Sequence, residues 1–218
     1  MTTSDAPRRR GRPPKLTREA VLATALEILD ESGHVGLSMR AVSERLGVGK
    51  MSLYHHVADR AELERLVIER LLAELEVPDA ALPWRERITA LAHSVRGLIV
   101  RHPNATPLVA LREYSDPESL RLPEAVMRAL HDAGLRGVDL VGGARLVFGY
   151  AIGFAQIDLV ARDSRSGAVS PMESLPEEDF PHVVSSARLT RGLSFDDQFE
   201  LGLQPLLAGL AAIADRSS

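Results

Sequence analysis

The sequence contains no cysteine among its 218 residues, so it can form neither a disulfide nor a thiolate metal site. Aromatic residues make up 4% of the chain, while Leu and Ala are abundant, and this composition favours helices over sheets. No apolar run follows the first residues, so we expect no secretory signal. These absences predict a soluble, all-α protein of the reducing cytoplasm.

The common catalytic motifs are also absent. The sequence has no GxSxG elbow, no lysine after a phosphate-binding glycine run and no HExxH pair, and its 7 histidines lack metal-ligand spacing. We therefore expect no enzyme, no cofactor and no metal site.

The net charge of −4 hides an uneven distribution. Residues 1–18 hold six basic side chains against Asp5 alone, which gives +5 and leaves −9 for the other 200 residues. Phosphate contacts need only a local basic patch, so this distribution permits nucleic-acid binding.

Residues 1–15 form a polar, basic arm that we expect to be disordered. Its run RRRGRPPK resembles an AT-hook, a short arm that lies in the minor groove of A·T-rich DNA. The alternative is a solvated tail that adds only non-specific attraction. The candidate DNA-binding residues of the arm are Arg9, Arg10, Arg12 and Lys15.

The stretch Ser38–His56 reads as two short helices joined by a glycine turn. Ser38 can cap the first helix, Gly47 suits the left-handed conformation that ends it, and the second helix begins near Lys50 and runs through His56. This pattern is typical of a helix-turn-helix, which places its second helix in the major groove.

Two further helices complete this region. Thr17–Ser32 carries an apolar stripe and ends at Gly33, and Asp59 with Glu62 gives a capping signature for a connecting helix from Arg60 to Glu76. Because prolines follow, we place domain boundaries so that residues 1–15 are the arm, 16–76 the DNA-binding domain and 77–218 a second domain.

The second domain reads as helical throughout. Val138–Ala161 has an uncharged centre too short to span a bilayer and is predicted to be a buried helix, and Pro205 should kink the last helix. A mobile loop is expected over residues 163–175. The predicted helices are Trp84–His102, Pro107–Arg112, Pro123–Ala133, Val138–Ala161, Pro176–Arg188 and Phe195–Asp215.

The run GLSMRAVSERLGVGKMSLYHHVADRAEL resembles the N-terminal domain of TetR-family repressors, and residues 17–76 fit that family's layout. Phe199–Leu210 resembles the final helix of the tetracycline-repressor subgroup. The resemblance implies an all-α fold with a helix-turn-helix domain and a helical domain for ligand binding and dimerisation.

Matched to the family motif, Ser38 and Arg40 lie at the groove edge, and Arg40 could pair with guanine or with a phosphate. Lys50, Met51 and Ser52 occupy base-reading positions. The residues expected to touch phosphates are Tyr54, His55, His56 and Arg60, although the Tyr54 ring could merely pack on neighbours.

A homodimer is expected through the helices near 138–161 and 195–215, because both combine glycines with a wide apolar stripe. The alternative is that both are core helices of a monomer. The second domain should also bind a small-molecule effector. The tetracycline–magnesium pattern is not evident, because no histidine lies between Arg65 and Leu82. Candidate lining residues, each of which could instead be an ordinary core or surface residue, are His93, Arg96, His102, Met127, His131, Tyr150 and Gln156.

The sequence thus predicts a homodimeric repressor that leaves a palindromic operator when an effector binds. The alternative is an architectural binder of A·T-rich DNA without an effector.

Overall fold

The computed structural model describes residues 16–110, 117–164 and 171–217. The arm residues Arg9, Arg10, Arg12 and Lys15 lie outside these ranges. Within them the chain is all-α, as predicted, without a strand. Short 3-10 turns occur at Pro103–Ala105 and Pro171–Ser174, and the α-helices are α1 (Arg18–Gly36), α2 (Met39–Leu46), α3 (Lys50–Tyr54), α4 (Arg60–Leu72), α5 (Trp84–Arg101), α6 (Thr106–Ala110), α7 (Pro117–Asp132), α8 (Gly137–Ser164), α9 (Pro181–Thr190) and α10 (Phe195–Ser217).

The chain divides into two compact units, residues 1–67 and residues 68–218. The division falls inside α4, so this one helix supplies its first two turns to the first unit and its remainder to the second. The domain ranges 16–76 and 77–218 remain predictions.

The first unit is built around apolar side chains from all four of its helices. Leu29, Val42 and Leu53 are fully or almost fully buried together with Val57 and Leu63. Two hydroxyls cap the helices as their sequence positions predict, because Thr17 accepts from the Ala20 amide and Ser38 from the Ala41 amide, both at 3.1 Å. The helical segments that the sequence predicted for this region are therefore present.

Three helix ends differ from the prediction. α1 continues to Gly36, although Gly33 leaves the helical conformation with φ 68°. α3 ends at Tyr54 instead of His56, because the His56 amide bonds three residues back to Leu53. α4 ends at Leu72 instead of Glu76, since the chain then tightens into three-residue turns.

In the second unit α5 packs against α7 and α8, and α8 packs against α10. Phe199, Leu203 and Leu210 of α10 are buried in this core with Ile88 and Leu91 of α5. The apolar stripe predicted for the last helix therefore does face the core.

Several elements of the second unit have other bounds than predicted. α7 begins at Pro117 and passes through Pro123, which costs it one backbone hydrogen bond. α9 begins later than predicted, at Pro181, whose fixed φ suits a first helical turn. The predicted loop over 163–175 includes the end of α8 and a 3-10 turn, and its residues 165–170 lie outside the described ranges.

The prediction that α8 is a buried helix is wrong for most of its surface. One row, which includes Val147, Ala151 and Ala155, is buried, whereas Val138, Ile157 and Val160 are exposed. The segment Gly137–Ala161 is long and apolar enough to cross a membrane by length and composition alone, and 28% of its apolar window is buried. Periodicity indicates which face of a helix is apolar, but not whether the same chain covers it.

Candidate nucleic-acid interface

The turn between α2 and α3 is fixed by local backbone geometry. Gly47 adopts the left-handed conformation at φ 65°, which a side chain would disfavour. The Gly47 and Val48 amides then donate to the Glu44 and Ser43 carbonyls, both at 3.1 Å, and close the end of α2. Leu53 and Val57 anchor the second arm of the motif in the core.

This anchoring leaves the first turn of α3 facing solvent. Lys50 is exposed, Met51 is 73% exposed and Ser52 is half-buried. A five-residue helix held by a single buried leucine thus presents a cation, an apolar side chain and a hydroxyl side by side. These groups match the chemistry of base edges, in which lysine suits guanine acceptors and an apolar group suits the thymine methyl.

Tyr54, His55 and His56 follow at the carboxyl end of α3. Tyr54 and His55 are exposed and His56 is half-buried. Tyr54 is 47% exposed, so it does not belong to the buried core.

The two arginines of the predicted interface have different surroundings. Arg40 pairs with Glu44 of the same helix at 2.7 Å, and both side chains are mostly exposed. Such a pair contributes little stability, so Arg40 can exchange it for a nucleic-acid contact. Arg60 instead donates from Nε to Glu64 at 2.7 Å and from Nη2 to the His34 carbonyl at 3.1 Å.

Three of the residues predicted to line an effector site meet around Phe199. The His93 and Phe199 ring centroids lie 4.8 Å apart, and Tyr150 donates to the Phe199 carbonyl at 2.5 Å. The Arg96 guanidinium lies 5.0 Å from the centre of the Phe199 ring. The structure thus brings these three residues of α5 and α8 together around Phe199 of α10.

Most of their polar groups are already engaged within the chain, although Arg96 Nε has no hydrogen-bond partner among the described residues. Arg96 is 4% exposed and pairs with Asp158 at 2.8 Å and with Asp196 at 2.6 Å. His93 Nε2 lies 2.5 Å from Glu200 Oε1, and this hydrogen bond holds the pKa of the Glu200 carboxyl below its usual value. Burial, with the nearby Glu200 charge, raises the pKa of Tyr150.

The other four predicted effector residues have different neighbours. His102 Nε2 lies 3.3 Å from a Glu74 carboxyl oxygen, and Gln156 donates to the Thr106 hydroxyl at 3.0 Å. Met127 is half-buried, and His131 is exposed on the last turn of α7.

A groove of about 220 Å³ was missed by the sequence reasoning. It lies between residues 77–80, α5 and α7, and none of the predicted effector residues lines it. It is smaller than most ligand cavities, which measure roughly 300–1,000 Å³. Its lining residues are Val77, Pro78, Ala80, Arg87, Leu91, Arg121, Glu124, Ala125 and Arg128.

Comparison with known proteins identifies the family of this chain. Residues 77–214 match the family model described as "Tetracyclin repressor-like, C-terminal domain". The chain belongs to the TetR family. Members of this family are transcriptional regulators and not enzymes.

Similar relatives of this TetR-family chain include a named repressor and a regulator solved with a ligand. The transcriptional repressor DrrR1 of Streptomyces coeruleorubidus is 33% identical over 220 residues, which cover 94% of this chain and 80% of DrrR1. ActR of Streptomyces coelicolor, solved in complex with actinorhodin, is 31% identical with a TM-score of 0.73, over 91% of this chain and 97% of ActR.

A third relative has been solved on DNA. BioQ with its natural double-stranded DNA operator is 27% identical with a TM-score of 0.58, over 90% of this chain and 99% of BioQ. The curated relatives are named as transcriptional regulators or repressors. Since the matches span nearly the whole chain, the TetR-family assignment covers the helix-turn-helix as well as the second unit.

Proposed function

We propose that this TetR-family chain is a homodimeric repressor that reads a palindromic operator with α3 and releases it when a small molecule binds to the second unit. The observation that carries the proposal is the solvent-facing triplet Lys50, Met51 and Ser52 on a short helix held by a capped, glycine-closed turn. DrrR1 is named a repressor, and BioQ has been solved on its operator. The chain acts in the cytoplasm, which suits its lack of cysteine.

Base reading is assigned to Lys50, Met51 and Ser52. Arg40 and Ser38 contact the edge of the groove, and Tyr54, His55 and His56 contact phosphates, which set the register without reading sequence. The arm residues Arg9, Arg10, Arg12 and Lys15 add attraction to DNA, with minor-groove contact as the sequence-based expectation.

The dimer is assigned to α8 and α10. The exposed apolar side chains of α8 include Val138 and Ile157. A Cβ added at Gly149 or Gly153 would meet, within 4 Å, no atom of the described residues beyond its chain neighbours and the adjacent backbone of α8. Leu201 of α10 is exposed as well. A face of this kind is unfavourable in water and is expected to be covered by a second copy, since soluble monomers rarely expose large apolar patches.

Replacing Gly149 with leucine tests this dimer directly. The single chain has open space at this position, so the variant should fold normally, whereas a partner that approaches closely would be pushed away. Sedimentation velocity should show a dimer for wild type and a shift towards monomer for Gly149→Leu. A variant that dimerises as tightly as wild type would move the interface elsewhere.

The DNA-reading assignment is tested by selection from a random-sequence duplex library with the full-length protein. Wild type should enrich a palindrome. Lys50→Ala should relax the preference at specific base pairs, whereas Arg9→Ala should weaken binding evenly and reduce the salt slope by about 1.

Two controls accompany the selection. Arg188→Ala, which removes an ion pair to Glu177 in the second unit, should bind as wild type does. Unrelated A·T-rich duplex should compete poorly with the enriched palindrome. If wild type enriches no sequence, or if A·T-rich duplex competes equally, the repressor assignment is refuted in favour of an architectural binder.

A further inference from the structure

The carboxyl end of α1 is a turn that two glycines make possible. Gly33 adopts φ 68° and ψ −176°, a conformation that L side chains rarely adopt. A Cβ on Gly36 would collide with the Ser32 side chain. The backbone therefore fixes His34 between the two glycines, and the His34 carbonyl accepts from the Leu37 amide at 3.3 Å.

Three side chains join this turn to the beginning of α4. Arg60 Nε donates to Glu64 Oε1 at 2.7 Å, and the same oxygen lies 2.9 Å from His34 Nε2. Arg60 Nη2 donates to the His34 carbonyl at 3.1 Å. The three residues form a closed cycle of contacts, which we call the polar clamp. All of its members belong to the first unit.

The polar clamp differs from an ordinary surface ion pair in its geometry. A single exposed Arg–Glu pair within a helix adds little stability. Here one edge of the planar Arg60 guanidinium donates to Glu64 on α4, and another edge donates to the His34 carbonyl on α1. The two contacts together fix the separation and angle of α4 and α1 at this point. Lysine, with one rotatable ammonium on a flexible stem, cannot hold both acceptors in the same way.

The polar clamp lies close in the chain to the helix-turn-helix. α4 follows α3 after a five-residue connection, and it continues past Val67 into the second unit. The junction between α4 and α1 therefore decides how a displacement of α4 is passed to the helix-turn-helix. If the junction is rigid, α1 moves together with α4; if it is loose, α4 moves alone.

We propose that Arg60 is a positioning residue that, with Glu64 and His34, holds α4 to the end of α1 so that the first unit moves as one body, instead of binding a DNA phosphate. This inference rests on the proposed function, because it concerns how operator binding is set. It replaces the phosphate contact that the family motif implied for Arg60.

Arg60→Lys distinguishes positioning from phosphate binding. It keeps the positive charge but removes the simultaneous contacts to Glu64 and to the His34 carbonyl. Measured on the palindrome that wild type enriches, at several salt concentrations, Arg60→Lys should bind about fivefold more weakly with an unchanged salt slope. Glu64→Gln should also weaken binding, although it removes a negative charge. The double variant Arg60→Gln/Glu64→Gln should be no weaker than either single variant, since both break one cycle.

A phosphate-binding Arg60 gives the opposite results. Arg60→Lys would then bind like wild type, Arg60→Gln would lower the salt slope by about 1, and Glu64→Gln would strengthen binding by releasing the arginine. Any of these three outcomes overturns the proposal. Glu44→Gln is the matched control, because it breaks the one-helix pair of Arg40 and should not weaken binding.

A second measurement needs no DNA. Hydrogen exchange at the Leu37 amide, which bonds to the His34 carbonyl, should be several-fold faster in Arg60→Lys than in wild type, while the Ala92 amide of α5 should be unchanged. Equal exchange at Leu37 in both proteins would refute the polar clamp. If wild type enriches no duplex but Leu37 responds, the proposed function fails and the polar clamp stands.

Discussion

Replacing Arg96 with methionine should lower the free energy of unfolding by about 3 kcal/mol, because it leaves a buried carboxylate without its guanidinium. Arg96 is 4% exposed, and Asp158, which lies 2.8 Å from it on α8, is 0% exposed. Breaking a buried pair by removing one partner costs about 3–5 kcal/mol. The lower end of that range applies, because Asp158 has a further interaction and methionine fills most of the vacated volume.

Thermal and urea unfolding of the full-length protein provide the assay. For a chain of this size each 1 kcal/mol shifts Tm by roughly 2–4 °C, so Arg96→Met should unfold about 6–12 °C below wild type. Arg188→Met is the matched control, because it removes a half-exposed pair to Glu177 and should cost less than about 1 kcal/mol. Arg96→Met/Asp158→Leu should recover most of the loss, since neither charge of this pair then remains buried.

Two results would refute this reasoning. A free energy of unfolding for Arg96→Met within about 1 kcal/mol of wild type would mean that the buried pair adds little beyond an exposed one. A double variant no more stable than Arg96→Met would assign the loss to packing, since the guanidinium also lies over the rings of Phe154 and Phe199.

Three further substitutions test separate contacts. The hydrogen bond to His93 holds the pKa of the Glu200 carboxyl below its usual value of 4.5. The ionised Glu200 therefore stabilises the folded protein above pH 4.5, and this stabilisation is lost as the pH falls through the lowered pKa. Urea midpoints of wild type and Glu200→Gln should therefore converge as the pH is lowered below 4.5, and a difference that stays constant would contradict the linkage. Gly202→Ala should cost about 1–3 kcal/mol in chemical denaturation, because its Cβ would collide with the Tyr150 ring, and a neutral result would mean that the ring can move aside. Ser38→Asp should keep the helix cap and leave Tm within a few degrees of wild type, yet weaken operator binding in an electrophoretic shift, and unchanged binding would take Ser38 out of the interface.

The helix-turn-helix could be predicted closely because its signals are local. The hydroxyl of Ser38 caps α2 by accepting from an amide three residues ahead, and Gly47 marks the left-handed turn. Neither feature depends on distant parts of the chain. The exposed position of Met51 also follows from its place opposite Leu53 in a short helix.

The second unit was less predictable because its decisive contacts are distant in sequence. Arg96 and Asp158 are 62 positions apart, and an arginine at helical spacing gives no sign of the acid it will meet. The same limit applies to Arg60, whose acceptor at His34 is 26 positions away. Whether α8 is covered is likewise not encoded in its periodicity, because a core and a second chain require the same apolar face.

The continuity of α4 across the two units has a practical consequence for isolating the DNA-reading half. A fragment that stops at Val67 would end inside a helix, and the carbonyls of residues 64–67 would lose the amides that cap them. The frayed turn would include Glu64, so such a fragment would lack both a stable helix end and a stable junction to α1. A fragment extended through residue 76 keeps the whole of α4 and therefore keeps Glu64 inside an intact helix.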